Sequence, residues 1–146
     1  MKKRCLVLII IIMTLLVYGA GCGTKEPAVS TTNYDSFIVN LRAAGATVEH
    51  PSLPQVIVQD FFSVTGQVFE VNGEDVQVFE YIDQSIAEAE AALVSPDGSS
   101  IGTSLPFWVG PPHFYKSGRI IVLYVGENKA VIDLLQEVLG SQFAGR

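Results

Sequence analysis

The chain has 146 residues, 49% of them hydrophobic, and carries a net charge of −6 from nine basic and fifteen acidic side chains. So few Lys and Arg residues speak against nucleic acid as a partner, because nothing is available to neutralise phosphates. They speak equally against electrostatic docking on anionic lipid head groups.

Residues 1–22 follow a three-part plan. Met1-Lys2-Lys3-Arg4 is a basic head, Leu6 to Tyr18 is an apolar run interrupted only by Thr14, and Gly19-Ala20-Gly21-Cys22 is a small-residue close. That is the arrangement of an export signal, with an apolar stretch short for a spanning helix. Its ending resembles the lipobox of bacterial lipoproteins, in which the cysteine after the cut is acylated and becomes the first residue. The resemblance covers residues 1–22 only. It implies a lipid on Cys22, loss of residues 1–21 and an extracytoplasmic location on the cell membrane or envelope. Ala20 and Gly21 match the pattern, whereas Gly19 stands where a bulky aliphatic is usual. An ordinary signal peptide, or an uncleaved anchor with Cys22 incidental, is the alternative. Cleavage removes Lys2, Lys3, Arg4 and Cys5, and lipidation of Cys22 leaves no thiol for a disulfide. More than one acyl chain is what makes such an anchor stable.

Residues 22–33 read as a lipidated tether: Gly23 to Asn33 is small and polar, with a proline and no apolar period. Residues 34–146 then form a single domain, long enough to build one core without staples. A helix is predicted over Asp35 to Ala44, with Phe37, Ile38 and Leu41 inward and Gly45 as the stop. Thr47–His50 and Val56–Phe62 read as extended, separated by Pro51 and Pro54.

The remainder reads as a duplicated ββα unit. Phe69 falls on Phe114, Gly73 on Gly118, Val76 on Ile121, Phe79 on Tyr124 and Leu93 on Val138. Asn72-Gly73 is a strong type I′ hairpin signal and Ser117-Gly118 a weaker one. Asp83 caps a helix to Val94 with Ile86, Ala89 and Leu93 inward. Asn128 caps another, with Val131, Leu134, Leu135, Val138 and Leu139 buried, ended by Gly140. The expected class is α+β: two consecutive ββα units forming an antiparallel sheet, helices packed on one face, preceded by an N-terminal helix.

Alternation across the turns divides the side chains. Phe69, Val71, Val76 and Val78, with Phe114, Ile121, Leu123 and Val125, are expected beneath the two repeat helices. The other face would then collect Phe79, Tyr81, His113, Tyr115 and Tyr124, unusually aromatic for a surface meeting water. Three readings stand: the first helix covers it, it forms a homodimer contact, or it is an open platform for a peptide, glycan or protein. The connector from Ser95 to Pro112, rich in Gly, Ser and Pro and holding the only tryptophan, Trp108, is the other candidate. It is either a binding loop or a strand with Leu105, Phe107 and Trp108 tucked into the core.

Signals for chemistry are sparse. His50 and His113 stand far apart with no cysteine beside either, which supports no metal centre. Gly98-Ser99-Ser100-Ile101-Gly102 satisfies G-x-S-x-G, but a helix rather than a strand precedes it. Asp97-Gly98-Ser99 and Asn72-Gly73-Glu74-Asp75 match calcium loops only in passing. No cofactor is implied. The strands Val71–Tyr81 and Pro111–Gly126 resemble those of small bacterial lipoproteins of unassigned function, a resemblance that brings no catalytic residue or ligand. The expected function is therefore a membrane-anchored binding or accessory module. The alternative is a small cell-envelope hydrolase with Ser100 as nucleophile.

Overall fold

The structure, a computed structural model, describes residues 30–50 and 61–146. The expected signal peptide, Cys22, most of the expected tether and all but Phe61 and Phe62 of the Val56–Phe62 segment lie outside the described residues. Among the described residues, helix α1 (Tyr34–Ala43) leads into strands β1 (Val48–Glu49), β2 (Gln67–Val71) and β3 (Glu74–Glu80). Helix α2 (Gln84–Ala91), strands β4 (Pro112–Ser117) and β5 (Ile120–Val125), helix α3 (Lys129–Leu139) and strand β6 (Ala144–Gly145) follow. The class is α+β: one antiparallel sheet in the order β1-β2-β3-β5-β4-β6, with helices packed on it. No helix among the described residues is long and apolar enough to cross a membrane.

Each helix starts at a side chain that satisfies an orphan amide. Asn33 Oδ1 accepts from the Ser36 amide at 2.9 Å, and Ser36 Oγ accepts from the Asn33 amide at 3.1 Å, a reciprocal capping box. Asp83 accepts from the Ile86 amide at 3.0 Å and Asn128 from the Ala130 amide at 3.1 Å. Gly45 and Gly140, past the ends of α1 and α3, take φ of 95° and 87°. Thr31 to Asn33, read from sequence as the end of the tether, are held to the domain. Ser117 Oγ donates to the Thr31 carbonyl at 2.5 Å, Thr31 Oγ1 to the Val138 carbonyl at 3.1 Å, and the Arg119 amide to the Thr32 carbonyl at 2.9 Å.

The two hairpins differ by one residue from their sequence alignment. Val71 pairs with Glu74 around Asn72-Gly73, whose φ angles of 52° and 82° are those of a type I′ turn. Ser117 pairs with Ile120, so the second turn is Gly118-Arg119, with only Gly118 at positive φ. A Cβ on Gly118 would also lie 2.4 Å from the Thr32 carbonyl oxygen, which excludes any side chain there. Asn72-Gly73 thus corresponds to Gly118-Arg119 rather than to Ser117-Gly118.

A one-residue slip turns every side chain to the other face. Across β3 and β5, Val76 stands opposite Tyr124 and Val78 opposite Val122. Phe69, Val71, Val76 and Val78 therefore share a face with Tyr115, Ile120, Val122 and Tyr124, beneath Phe37 and Leu41 of α1 and Val131 and Leu135 of α3. Phe79, Tyr81, Phe114, Ile121 and Leu123 take the opposite face, beneath Ala87 and Ala91 of α2. Placing both repeat helices on one face is thereby corrected: α1 and α3 share a face and α2 has the other. The seven-residue β3 and six-residue β5 end with opposite parity, so their helices depart to opposite sides. The inward stripe of α2 is also corrected, from Ile86, Ala89 and Leu93 to Ala87 and Ala91. Small residues there let the helix lie close to the aromatic floor.

Candidate functional site

The aromatic residues grouped from sequence on one sheet face, to be covered by the first helix, paired in a homodimer or left as an open platform, are neither together nor open. Phe79 and Tyr81 belong to the α2 face, Tyr115 and Tyr124 to the α1/α3 face, and all four are buried. His113 is buried as well and stacks on Tyr124, with ring centroids 5.9 Å apart and planes 18° from parallel. Its Nε2 lies 3.0 Å from the Gly126 carbonyl oxygen and its Nδ1 lies 2.7 Å from Gln142 Oε1. The ring is a structural bridge between β4 and the chain after α3. Burial pushes the Tyr115 and Tyr124 hydroxyls above their ordinary range, and burial followed by the charge of Glu90 does so for Tyr81. The Tyr81 hydroxyl is buried without a hydrogen-bond partner among the described residues.

The connector between α2 and β4 is more exposed, and its first half is a tightly bonded turn. Val94 and Ser104 each bridge to Ile101, and the Gly98 amide donates to the Ser95 carbonyl at 2.8 Å across Pro96-Asp97. Asp97 Oδ1 accepts from the Ser99 amide at 3.1 Å, the Ser99 hydroxyl at 2.8 Å and the Ser95 hydroxyl at 2.9 Å. These bonds, the Ser99 amide foremost, favour the ionised carboxylate and pull its pKa down to about 2. Gly98, at φ 70°, is pressed against the start of β4: a Cβ there would fall 2.9 Å from Pro112 Cγ and 3.1 Å from the Phe114 ring. Its carbonyl accepts from Trp108 Nε1 at 2.7 Å.

Trp108 is the pin for the second half. Its ring meets Phe114 and Phe61 edge-on, each with centroids 5.9 Å away. From Ser104 to Gly110 burial alternates residue by residue, with Pro106 and Trp108 inward. Leu105, Phe107 and Val109 project into solvent, 81%, 94% and 93% exposed. Of the residues expected to tuck in together, Trp108 does so and Leu105 and Phe107 do not. Beside this ridge lies a cleft of about 470 Å³ lined by Asp97, Pro106, Phe107, Trp108, Glu127 and Arg146, among others. Arg146 Nη2 approaches Asp97 Oδ2 at 3.9 Å. Glu127 is exposed and has no ion pair among the described residues.

Among the described residues Ser100 has no hydrogen bond to a histidine. Its amide donates to Ser95 Oγ at 2.9 Å and its carbonyl accepts from the Ser95 amide, closing the turn rather than forming an elbow. The segment packs on the α2 face through Ile101, whereas His113 stacks under α3. His50 adjoins β1, the far edge of the sheet, roughly 20 Å away at the usual ~4.8 Å strand spacing. Among the described residues no group of three His, Cys, Asp or Glu side chains is placed to hold a metal ion, the two calcium-like turns included. The ridge and the Glu127 and Arg146 contributions to the cleft were missed in the sequence. Leu-Pro-Phe-Trp-Val is apolar at all five positions, so no alternation of apolar and polar residues marks the ridge in the sequence. Comparison with protein-family models, with curated proteins and with solved structures found no match to this chain.

Proposed function

We propose that this chain is a lipid-anchored extracytoplasmic binding or accessory module, acting by contact through the Leu105–Val109 ridge and the adjoining cleft. One observation carries the reading: three large apolar side chains stand 81% to 94% exposed on a segment that Trp108 pins firmly in place. Apolar groups held out on a rigid support are the usual mark of an interaction surface. Anchoring rests on residues 1–22, whose basic head, apolar run and Gly-Ala-Gly-Cys close direct export and acylation of Cys22.

The geometry is consistent with presentation outward. The chain enters at Thr31 to Asn33, beside the β4–β5 turn, while the cleft adjoins Pro112 at the other end of β4. Six residues of strand separate those ends by roughly 20 Å. A membrane tether on the first side leaves the ridge facing away from the bilayer.

The test is photocrosslinking in intact cells, with a photoreactive amino acid at position 107 and a control at the exposed Val39 on α1. A discrete adduct at 107, lost with Leu105→Thr and Val109→Thr and absent from the control, is expected. Equal labelling at both positions would sink the reading. Mass spectrometry of the mature protein checks the anchor, which requires loss of residues 1–21 and added lipid mass on Cys22.

A further inference from the structure

We infer that the Leu105–Val109 segment is a docking edge for an extended polypeptide strand of a partner, with apolar side chains at alternate positions and a Lys or Arg at one end. The inference rests on the binding reading above and specifies its ligand class. Its first support is the main chain. Burial alternates residue by residue from Ser104 up to a bend at Val109–Gly110, as in an extended chain, yet no N–H or C=O from Leu105 to Val109 makes a main-chain hydrogen bond with the described residues. Such a row of free donors and acceptors is a template for strand addition.

Proline parity selects the edge. In a strand, N–H and C=O groups of alternate residues point to opposite edges. Pro106 lacks an N–H and shares its edge with Trp108, whose side chain is bound inward to the Gly98 carbonyl. Leu105, Phe107 and Val109 share the other edge, where every donor is present. The residues with complete main-chain pairing capacity are thus the same three whose side chains face solvent. A strand paired there sets its own alternate side chains against Leu105, Phe107 and Val109.

Charge narrows the partner further. Glu127 lines the cleft without an ion pair among the described residues, and Asp97 holds its negative charge to low pH. The only cation in the lining, Arg146, stands 3.9 Å from Asp97. With a net charge of −6, a second copy of this chain would meet the ridge with like charge, as would an anionic bilayer. A strand carrying Lys or Arg toward Glu127 meets it favourably.

The experiment is selection of a displayed random dodecapeptide library on the immobilised full chain, with counter-selection on the Leu105→Thr, Phe107→Ser, Val109→Thr variant. Enriched peptides should place apolar residues at every second position with a basic residue at one end. They should perturb the fluorescence of Trp108, the only tryptophan in the chain. N-methylation of alternate peptide amides should weaken binding about tenfold at one parity and leave the other unchanged, as expected for lost main-chain bonds. Glu127→Gln should weaken only the peptides that carry the terminal Lys or Arg. The inference is overturned by no enrichment, by apolar residues at helical spacing, by insensitivity to N-methylation, or by equal binding to the variant. Ridge-dependent self-association, or glycan binding without peptide binding, would overturn it too. A ridge-dependent adduct at position 107 in cells alongside failed peptide selection would leave the binding reading standing and remove only the strand.

Discussion

The two faces of the sheet are closed in different ways. Beneath α1 and α3 lie long side chains from every layer: Phe37, Leu41, Val131 and Leu135 from the helices, and Phe69, Val76, Val122 and Tyr124 from the strands. Beneath α2 the helix contributes only Ala87 and Ala91, and the bulk comes from connectors, as Phe61, Phe62, Ile101 and Trp108. One face is a helix–sheet interface; the other is a helix laid flat and caulked by loops. Five of the seven large apolar side chains left exposed among the described residues, Ile82, Leu93, Leu105, Phe107 and Val109, flank α2 or follow it in its connector, and a sixth, Ile86, is on α2 itself. The first face holds the domain together and the second presents a surface.

The largest expected effect tests that division directly. Phe37→Ala removes a fully buried ring that stacks edge-on with Phe69 at 5.9 Å, and should cost about 3–5 kcal/mol in urea unfolding. Ile86→Ala on α2 should fall within about 0.5 kcal/mol, because that side chain is on the solvent side. Comparable losses would mean that α2 is anchored as deeply as α1. A second test enlarges rather than truncates. Ala87→Leu should destabilise by about 1–3 kcal/mol, since a residue 1% exposed on the inward side of a close-lying helix has no room for three more carbons.

Two hydroxyl deletions should differ in sign. Tyr124 accepts from the Asn128 amide at 3.1 Å, so Tyr124→Phe orphans a helix-cap donor and should cost about 1 kcal/mol. The Tyr81 hydroxyl is buried with no partner among the described residues, so Tyr81→Phe should stabilise by about 1 kcal/mol. The same burial raises the pKa of Tyr34, Tyr81, Tyr115 and Tyr124 in the folded protein. A raised acid favours its neutral form on folding, so this stability is complete below the unfolded value of about 10 and is lost as pH rises beyond it. Ultraviolet titration should show tyrosine ionisation and unfolding moving together above that pH. Early ionisation without unfolding would place these rings nearer to water.

Why the face assignment was not legible is itself physical. The α+β class, the order of elements from α1 to α3 apart from the Val56–Phe62 segment, the Asn72-Gly73 turn and the caps Asp83 and Asn128 are local and were read from local chemistry, whereas the short strand β6 was not. The register of the second hairpin is not local: it depends on Gly118, rather than Ser117, meeting Thr32 across a gap too small for a Cβ. Aligning glycine with glycine shifts β4 and β5 by one residue, which exchanges Phe114 and Leu123 with Tyr115 and Tyr124. The resulting aromatic platform of Phe79, Tyr81, His113, Tyr115 and Tyr124 combined residues from opposite sides of one sheet. Helix α2 misled for a related reason, since Ile86 and Leu93 carry the hydrophobic signal while the sheet accepts only alanines. At the connector, composition marked Ser95–Pro112 and Trp108 as a candidate. Which of its neighbours face outward depends on the Trp108 to Gly98 hydrogen bond, a contact ten residues apart that no period reveals.

The smallest expected effect on stability is the most informative about the surface. Replacing Leu105, Phe107 and Val109 by Thr, Ser and Thr removes three side chains that support no described packing. Each change should stay within about 0.5 kcal/mol, as for surface positions remote from special structure. Trp108→Phe, one position from two of them, keeps an aromatic ring but deletes the donor to the Gly98 carbonyl, and should cost about 1 kcal/mol. It should also loosen the ridge, measurable as faster amide exchange from Leu105 to Val109 while β3 and β5 stay protected. If the triple variant unfolds more readily than Trp108→Phe, the three side chains hold the fold together and are not available to a partner. If it is neutral while Trp108→Phe releases the segment, the division between support and surface runs through adjacent residues of one segment.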